Sequence, residues 1–294
     1  MEPEYYNFTG RAGEVVPDHV THVLIDKALK FVRGRAFYEH PNIEEVICHD
    51  GVEMIEQYAF YICPSLRRVI MSGVKEVQKW AFYGCTSLAY LECGKLEIIG
   101  EWAFGFCESL SSIDLLSIKI VEQYVFTGCT NLTNAKFGKD LESIGEETFR
   151  GCPSLESITL PLKDGMISHD DTFLECKKLE SVDLVEGAVM DESIAALLME
   201  QWKNDMNEEI DAINQILSNT PAGNSNMNEA GGKAREIRTW ISSVLRKYTH
   251  YKSEHRRYLN EAAAILQTAT PYDIVIKNVL LFVELPSDTF GGED

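Results

Sequence analysis

The sequence predicts a mainly β fold, a parallel solenoid of about seven coils of 22–24 residues each, followed by an α-helical hairpin. Three observations carry this prediction. An Ala-Phe dipeptide or a close variant returns at a fixed interval, the residues between its copies alternate as strands do, and beyond about Gly187 the apolar period becomes helical.

The dipeptide stands at Ala36-Phe37, Ala59-Phe60, Ala81-Phe82, Ala103-Phe104, Val125-Phe126, Thr148-Phe149 and Thr172-Phe173, with Phe-to-Phe intervals of 23, 22, 22, 22, 23 and 24 residues. A period of that size marks one supersecondary unit stacked on copies of itself. Within a unit, Phe82 is followed by Cys85, Leu88, Leu91, Cys93, Leu96 and Ile99. The next reads Phe104, Cys107, Leu110, Ile113, Leu115, Ile118, Val121 and Phe126. The Ile-x-Leu half has the period of two of a strand. A second apolar pair, such as Leu141 and Ile144, precedes each aromatic. Each unit therefore reads as a strand, a turn, a second extended segment, and a turn closed by a buried Phe.

These residues bring a resemblance into view. Gly-Cys-x-x-Leu-x-x-Ile-x-Leu followed by Ile-x-x-x-Ala-Phe, clear in Tyr83-Gly84-Cys85-Thr86-Ser87-Leu88 and Arg150-Gly151-Cys152-Pro153-Ser154-Leu155, resembles the BspA-type leucine-rich repeat, also found in Treponema-type surface proteins. The resemblance runs from about Val20 to Glu186. It implies a parallel β-solenoid and repeat-mediated binding, and it does not imply catalysis. A first coil without Cys, Val20-x-x-Val23-x-Ile25 to Leu29-x-x-Val32, reads as the N-terminal cap. Two departures stand out: His40 replaces the Cys of its coil, and the stretch Leu162 to Asp171 is longer and lacks the regular Val/Ile pair.

Six of the eight cysteines (Cys63, Cys85, Cys107, Cys129, Cys152, Cys176) share one repeat position. One Cys per coil makes a line, whereas zinc needs converging pairs and a disulfide needs Cβ vectors that face each other. They read as small, reduced, buried packing residues. The histidines are scattered, and His169-Asp170-Asp171 is the only His-acid cluster. No nucleophile-His-acid set, phosphate loop or zinc-protease motif appears, so neither an enzyme nor a cofactor or metal site is expected.

The outward strand positions form two columns. One reads Leu24, Ile47, Ile70, Glu92, Asp114, Lys136, Thr159 and Asp183; the other reads His22, Glu45, Arg68, Tyr90, Ser112, Asn134, Ser157 and Ser181. The N-terminal end is apolar, which nominates Leu24, Ile47, Ile70, Arg68, Tyr90, Glu92 and Asp114 as a partner-binding patch. The competing expectation is that residues 1–19, with Tyr5, Tyr6 and Phe8, fold over it. A second stripe, Arg35, Tyr58, Trp80, Trp102, Tyr124 and Glu147, precedes the Phe positions. Self-stacking that locks coil to coil is the simpler account of its aromatics; the sharper one is a carbohydrate or peptide platform, as in an adhesion module.

The repeats occupy residues 20–188 and a different unit follows over 189–270. Ile194, Leu198, Trp202, Met206, Ile210, Ile213 and Leu217 have helical spacing, with Asp191 as N-cap. A turn-rich linker covers 220–232. Ile237, Trp240, Val244, Tyr248, Tyr251, His255, Tyr258, Ala262 and Ile265 then hold a 3/4 spacing that stops before Pro271. Residues 191–217 carry seven acids and one base, and 233–257 carry eight bases and two acids. An antiparallel hairpin explains both blocks, with Asp205 near Arg246 and Lys247, Glu200 near Lys252, and Glu192 near Arg256 and Arg257. The tail 271–294 reads as a short docked helix with an acidic end. The region also resembles the C-terminal extensions of microalgal expansions of the repeat family.

The net charge of −19 argues against a nucleic-acid or anionic-membrane binder. No apolar run reaches the ~18 residues of a membrane span, and Met1-Glu-Pro-Glu-Tyr lacks the start of a secretory signal. The expectation is a cytoplasmic scaffold that binds an unidentified protein partner, with the helices available for self-association.

Overall fold

The computed structural model describes residues 4–185, 196–224 and 232–269. One face of the solenoid carries the longer strands: β1 (Tyr5–Phe8), β2 (His22–Ile25), β4 (Glu45–Ile47), β6 (Arg68–Ile70), β8 (Tyr90–Glu92), β10 (Ser112–Leu115), β12 (Asn134–Phe137), β14 (Ser157–Leu160) and β15 (Ser181–Leu184). A second face carries two-residue strands: β3 (Phe31–Val32), β5 (Met54–Ile55), β7 (Glu76–Val77), β9 (Ile98–Ile99), β11 (Ile120–Val121) and β13 (Ser143–Ile144). All pairings are parallel, as stacked copies of one unit require.

The short strands form one six-stranded sheet. In the long interval, where the sequence leaves the turn open, Ile167 bridges Ile144 and takes the place of the missing pair. The longer strands form two sheets, β1-β2-β4-β6-β8 and β10-β12-β14-β15, with the ladder interrupted between β8 and β10. Cys93 stands there where other coils have Met71 or Leu115, and Leu91 is only partly buried, whereas Val69 and Ile113 are buried.

The third face is a turn built around Phe. Rings of Phe37, Phe60, Phe82, Phe104, Phe126, Phe149 and Phe173 stack with centroids 4.7–5.7 Å apart, close to the spacing of neighbouring strands. Each Phe amide donates to the residue before the next Phe, as Phe60 does to Ala81 at 2.7 Å and Phe82 to Ala103 at 2.8 Å. Each Phe carbonyl accepts from the Cys of the following coil: Cys63 donates to Phe37 at 3.0 Å, Cys85 to Phe60 at 3.1 Å and Cys176 to Phe149 at 3.1 Å. All eight cysteines are free and buried. The repeat cysteines thus do more than fill space, since a thiol is small, apolar and still a weak donor. The residue before Cys has positive φ at Gly84, Gly128 and Gly151, which is why glycine recurs there.

At the C-terminus, α1 (Ala196–Asn219) and α2 (Gly232–Ala269) form the hairpin and close the last coil. Trp202, Met206, Ile213 and Leu217 of α1 are buried with Ile237, Trp240, Val244, Tyr251 and His255 of α2, while Tyr258 is exposed. Several groups at the end of the solenoid find partners in the hairpin. Val182 N–H donates to Asn214 Oδ1 at 2.9 Å and Glu175 N–H to the Ala222 carbonyl at 2.9 Å. Buried Lys233 donates to the carbonyls of Leu179 and Leu217. Part of the expected linker is therefore a capping turn that completes the backbone ladder. The expected charge pairing shifts by one helical turn. Lys247 pairs with Glu209 and not Asp205, and Asp205 accepts from the Tyr251 hydroxyl. Asp191, Glu192, Ile194 and the tail 271–294 lie outside the described residues, as does the side chain of Glu200.

Two outcomes follow. Burial pushes the Cys48, Cys93 and Cys152 thiols up to about 12 and raises those of Cys85, Cys107, Cys129 and Cys176 as well. Because the thiolate is the reactive species, alkylation of these seven at neutral pH should be slow until denaturant is added, as it should for Cys63, which is buried with them; fast labelling of the folded protein would contradict the ladder. In the hairpin, Lys247→Glu should lower stability at low salt by about 0.2–1 kcal/mol, and Glu209→Lys in the same chain should restore it. Melting followed by circular dichroism decides this, and failure of the double variant to recover would refute the register.

Candidate functional site

The register aligns the outward side chains in the two predicted columns. Asn7, Leu24, Ile47, Ile70 and Glu92 lie side by side across the five-stranded sheet, flanked by Tyr5, His22, Glu45, Arg68 and Tyr90. Leu24 and Tyr90 are 37% and 48% exposed, and Ile47 and Ile70 are half-buried. The Arg68 guanidinium lies 4.9 Å from the Tyr90 ring centre and pairs with Glu45 at 3.2 Å. Asp114, the remaining nominated residue, lies in the other sheet, across the interruption from Glu92. That second sheet continues with Lys136, Thr159 and Asp183 beside Asn134, Ser157 and Ser181. Apolar and polar halves therefore meet where the ladder breaks.

The N-terminal extension joins this face at its edge and does not fold over it. Strand β1 pairs with β2, so Tyr5 extends the outer column, packs edge-on against His22 at 5.3 Å and donates to Glu45 at 2.5 Å. Glu45, an outward position in the sequence pattern, is buried beneath Tyr5 and Arg68. This hydrogen bond raises the Tyr5 hydroxyl pKa first, and burial adds to it. The sequence shows Tyr5 only as cover; its place in the patch follows from β1 continuing the alternation, with Phe8 buried on the other side. Phe8 also ends the aromatic column, 4.7 Å from Phe37 and tilted by 53°. The departure at His40 belongs to the same closure. Lacking a preceding Phe carbonyl, that coil uses buried His40, whose Nε2 meets the Pro17 carbonyl at 3.2 Å.

The second stripe is a ladder of stacked rings: Tyr58 to Trp80 at 6.3 Å, Trp80 to Trp102 at 5.3 Å and Trp102 to Tyr124 at 4.8 Å, all within 19° of parallel. All four residues have φ near +60°, a conformation costing about 1–2 kcal/mol in a residue with a Cβ. Stacking and amide bonds to the next coil, such as Trp80 N–H to the Glu101 carbonyl at 2.9 Å, offset it. The sequence reading missed a second column, Tyr38, Tyr61, Tyr83 and Phe106, which packs beside the first. Its signal was the residue after each Phe. Phe106 comes one place later, in the coil where Gly105 stands against the Trp102 and Tyr83 rings. Ring faces are thus largely turned to other rings, which matches self-stacking.

The model for the BspA-type leucine-rich repeat region matches residues 30–118 and 98–194, with six copies. Among solved structures, a leucine-rich repeat protein from Bacteroides ovatus is 30% identical over 50% of this chain and 42% of its own, with a TM-score of 0.44. A leucine rich cell surface protein from Faecalibacterium prausnitzii is 24% identical over 63% of this chain and 49% of its own, with a TM-score of 0.48. A T. pallidum leucine rich repeat protein is 24% identical over 62% and 69%, with a TM-score of 0.37. This chain spans less than half the length of the first two. No curated protein matches it in sequence.

The closure at His40 generates a pH prediction. Burial lowers the His40 pKa, against smaller raising effects from the Pro17 carbonyl and Asp18. The folded state therefore resists a proton that the unfolded chain accepts near ~6.5. The stabilisation is present above that pH and is lost as pH falls below it. The protection of the β1 amides, after correction for the intrinsic pH dependence of exchange, should fall between pH 7 and 5 in the native protein and much less in His40→Cys; an equal fall in both would refute this role.

Proposed function

The chain belongs to the BspA-type leucine-rich-repeat family, and on that premise we propose that it is a protein-binding scaffold whose partner docks on the N-terminal, five-stranded half of its exposed sheet. This is a family of repeat scaffolds, and repeat solenoids bind partners along regular surfaces. The observation that supports this reading is the patch of Leu24, Ile47, Ile70 and Tyr90, apolar side chains on a rigid sheet, rimmed by Tyr5, His22, Arg68 and Glu92. Aromatic and Arg anchors inside a polar rim are the usual composition of a binding hot spot. No described helix is long and apolar enough to cross a membrane.

A carbohydrate-binding or adhesion module using Tyr58, Trp80, Trp102 and Tyr124 is the other reading. A sugar platform needs a free ring face, and here neighbouring rings occupy most of them. The sheet is therefore the better-supported site.

A photo-crosslinking side chain placed at Ile70 should capture the partner, and one at Lys136 in the polar half should not. Ile47→Glu with Ile70→Glu should abolish capture at a third position, Leu24, and change the melting temperature by only a few degrees, because both residues are partly outward. Unaltered capture by the double variant would reject the site. Capture lost only in Trp80→Ala and Trp102→Ala would move binding to the aromatic ladder.

A further inference from the structure

The irregular turn that ends the repeats holds the one His-acid cluster of the sequence, and its members are not all engaged in the same way. Asp170 is held by Arg235 and Arg238 of α2. Glu147, one coil earlier, is held by Arg150. Between these two ion pairs lie Glu146, His169 and Asp171, whose ligand-capable atoms all fall within 4.8 Å of one another. None of the three has a side-chain hydrogen bond or ion pair among the described residues, and the Asp171 Oδ1 atom is fully enclosed with no partner at all. Two neighbouring carboxylates repel, and an enclosed carboxylate oxygen without a donor is costly. Whereas Asp170 and Glu147 on either side have each found an arginine, this trio has no cation from the protein among the described residues.

The backbone holds the three together with little freedom. The Glu146 carbonyl accepts from Tyr124 N–H at 2.9 Å, Ile144 N–H binds the Met166 carbonyl at 2.8 Å, and the His169 carbonyl accepts from the Thr172 hydroxyl at 3.0 Å. Glu146 and His169 open onto a groove of about 340 Å³ that also touches Glu122, Gln123 and Ser143.

We propose that Glu146, His169 and Asp171 form a binding site for a divalent transition-metal ion, for which Zn²⁺ is the fitting choice. An imidazole nitrogen with two carboxylates suits zinc, whereas calcium and magnesium take oxygen ligands alone. Three protein ligands leave a fourth position for water from the groove. The ion would join coil six, through Glu146, to the turn carrying Asp170, and so brace the turn on which α2 docks.

Titration calorimetry on the full chain, freed of metal by a chelator, tests this with ZnCl₂ and CaCl₂. One Zn²⁺ should bind per chain, Ca²⁺ should not compete, and Zn²⁺ should raise the melting temperature. Asp171→Asn, which removes an unpartnered charge and should fold normally, should weaken Zn²⁺ binding roughly tenfold or more and abolish the thermal shift. Glu146→Gln, which also keeps the shape of the side chain, is the second variant and should weaken Zn²⁺ binding likewise. Substituting Co²⁺ guards against the cysteines, because a thiolate ligand adds an intense near-ultraviolet charge-transfer band. No Zn²⁺ binding, affinity unchanged in Asp171→Asn and Glu146→Gln, or a thiolate band with Co²⁺ would each overturn the proposal.

Discussion

One phenylalanine per coil organises this molecule, because its ring, amide and carbonyl each reach a neighbouring coil. The ring stacks on its equivalents, the amide donates forward to the residue before the next Phe, and the carbonyl accepts the thiol of the following coil. All three contacts need coils one strand-spacing apart, so the sheets on the other faces are held in register by the same residue. The chain length of a coil is less constrained than its Phe. The long interval before Phe173 leaves its surplus outside, with Lys163, Asp164 and Gly165 exposed, while Met166, Ile167 and Phe173 stay buried in line.

A stack held by repeating contacts ends with unmatched groups at both faces, and the two ends are solved differently. At the start, β1 supplies a last strand, Phe8 a tilted last ring, and His40 a substitute for the missing thiol contact. At the finish, a helical hairpin supplies Asn214, the Ala222 carbonyl and the Lys233 ammonium to groups that another coil would have satisfied. The desolvated Lys233, its pKa lowered by burial, shows how far this capping goes.

What could be read from the residues was whatever repeats. The coil length, the outward columns, the cysteine line and the aromatic stripe all recur with the period, so copies corroborate one another. The antiparallel hairpin was legible because opposite charge blocks need each other. What escaped occurs once or depends on partners in space. The strand at Tyr5–Phe8 has only four residues and pairs with a segment that the pattern already showed complete. The burial of Glu45 depends on Tyr5, and the hairpin register on side-chain packing that charge counting misses by one turn. The second ring column was hidden because it drifts, with Gly105 yielding its place to Phe106.

The interruption between β8 and β10 has a mechanical meaning. In a one-dimensional array each unit touches only its neighbours, so the array yields first at the joint with the fewest bonds. At this joint the long-strand ladder is absent, and the coils are held by the short strands β9 and β11, the Phe82–Phe104 stack, the Trp80–Trp102 stack and the turn amide and thiol bonds. Those contacts lie on the other faces of the coil, away from the long sheet. A bend there would splay or close the surface at Tyr90, Glu92 and Asp114, which border the break. Were the solenoid to bend, this joint, at the border between its apolar and polar halves, is where the long sheet offers no backbone pairing against it.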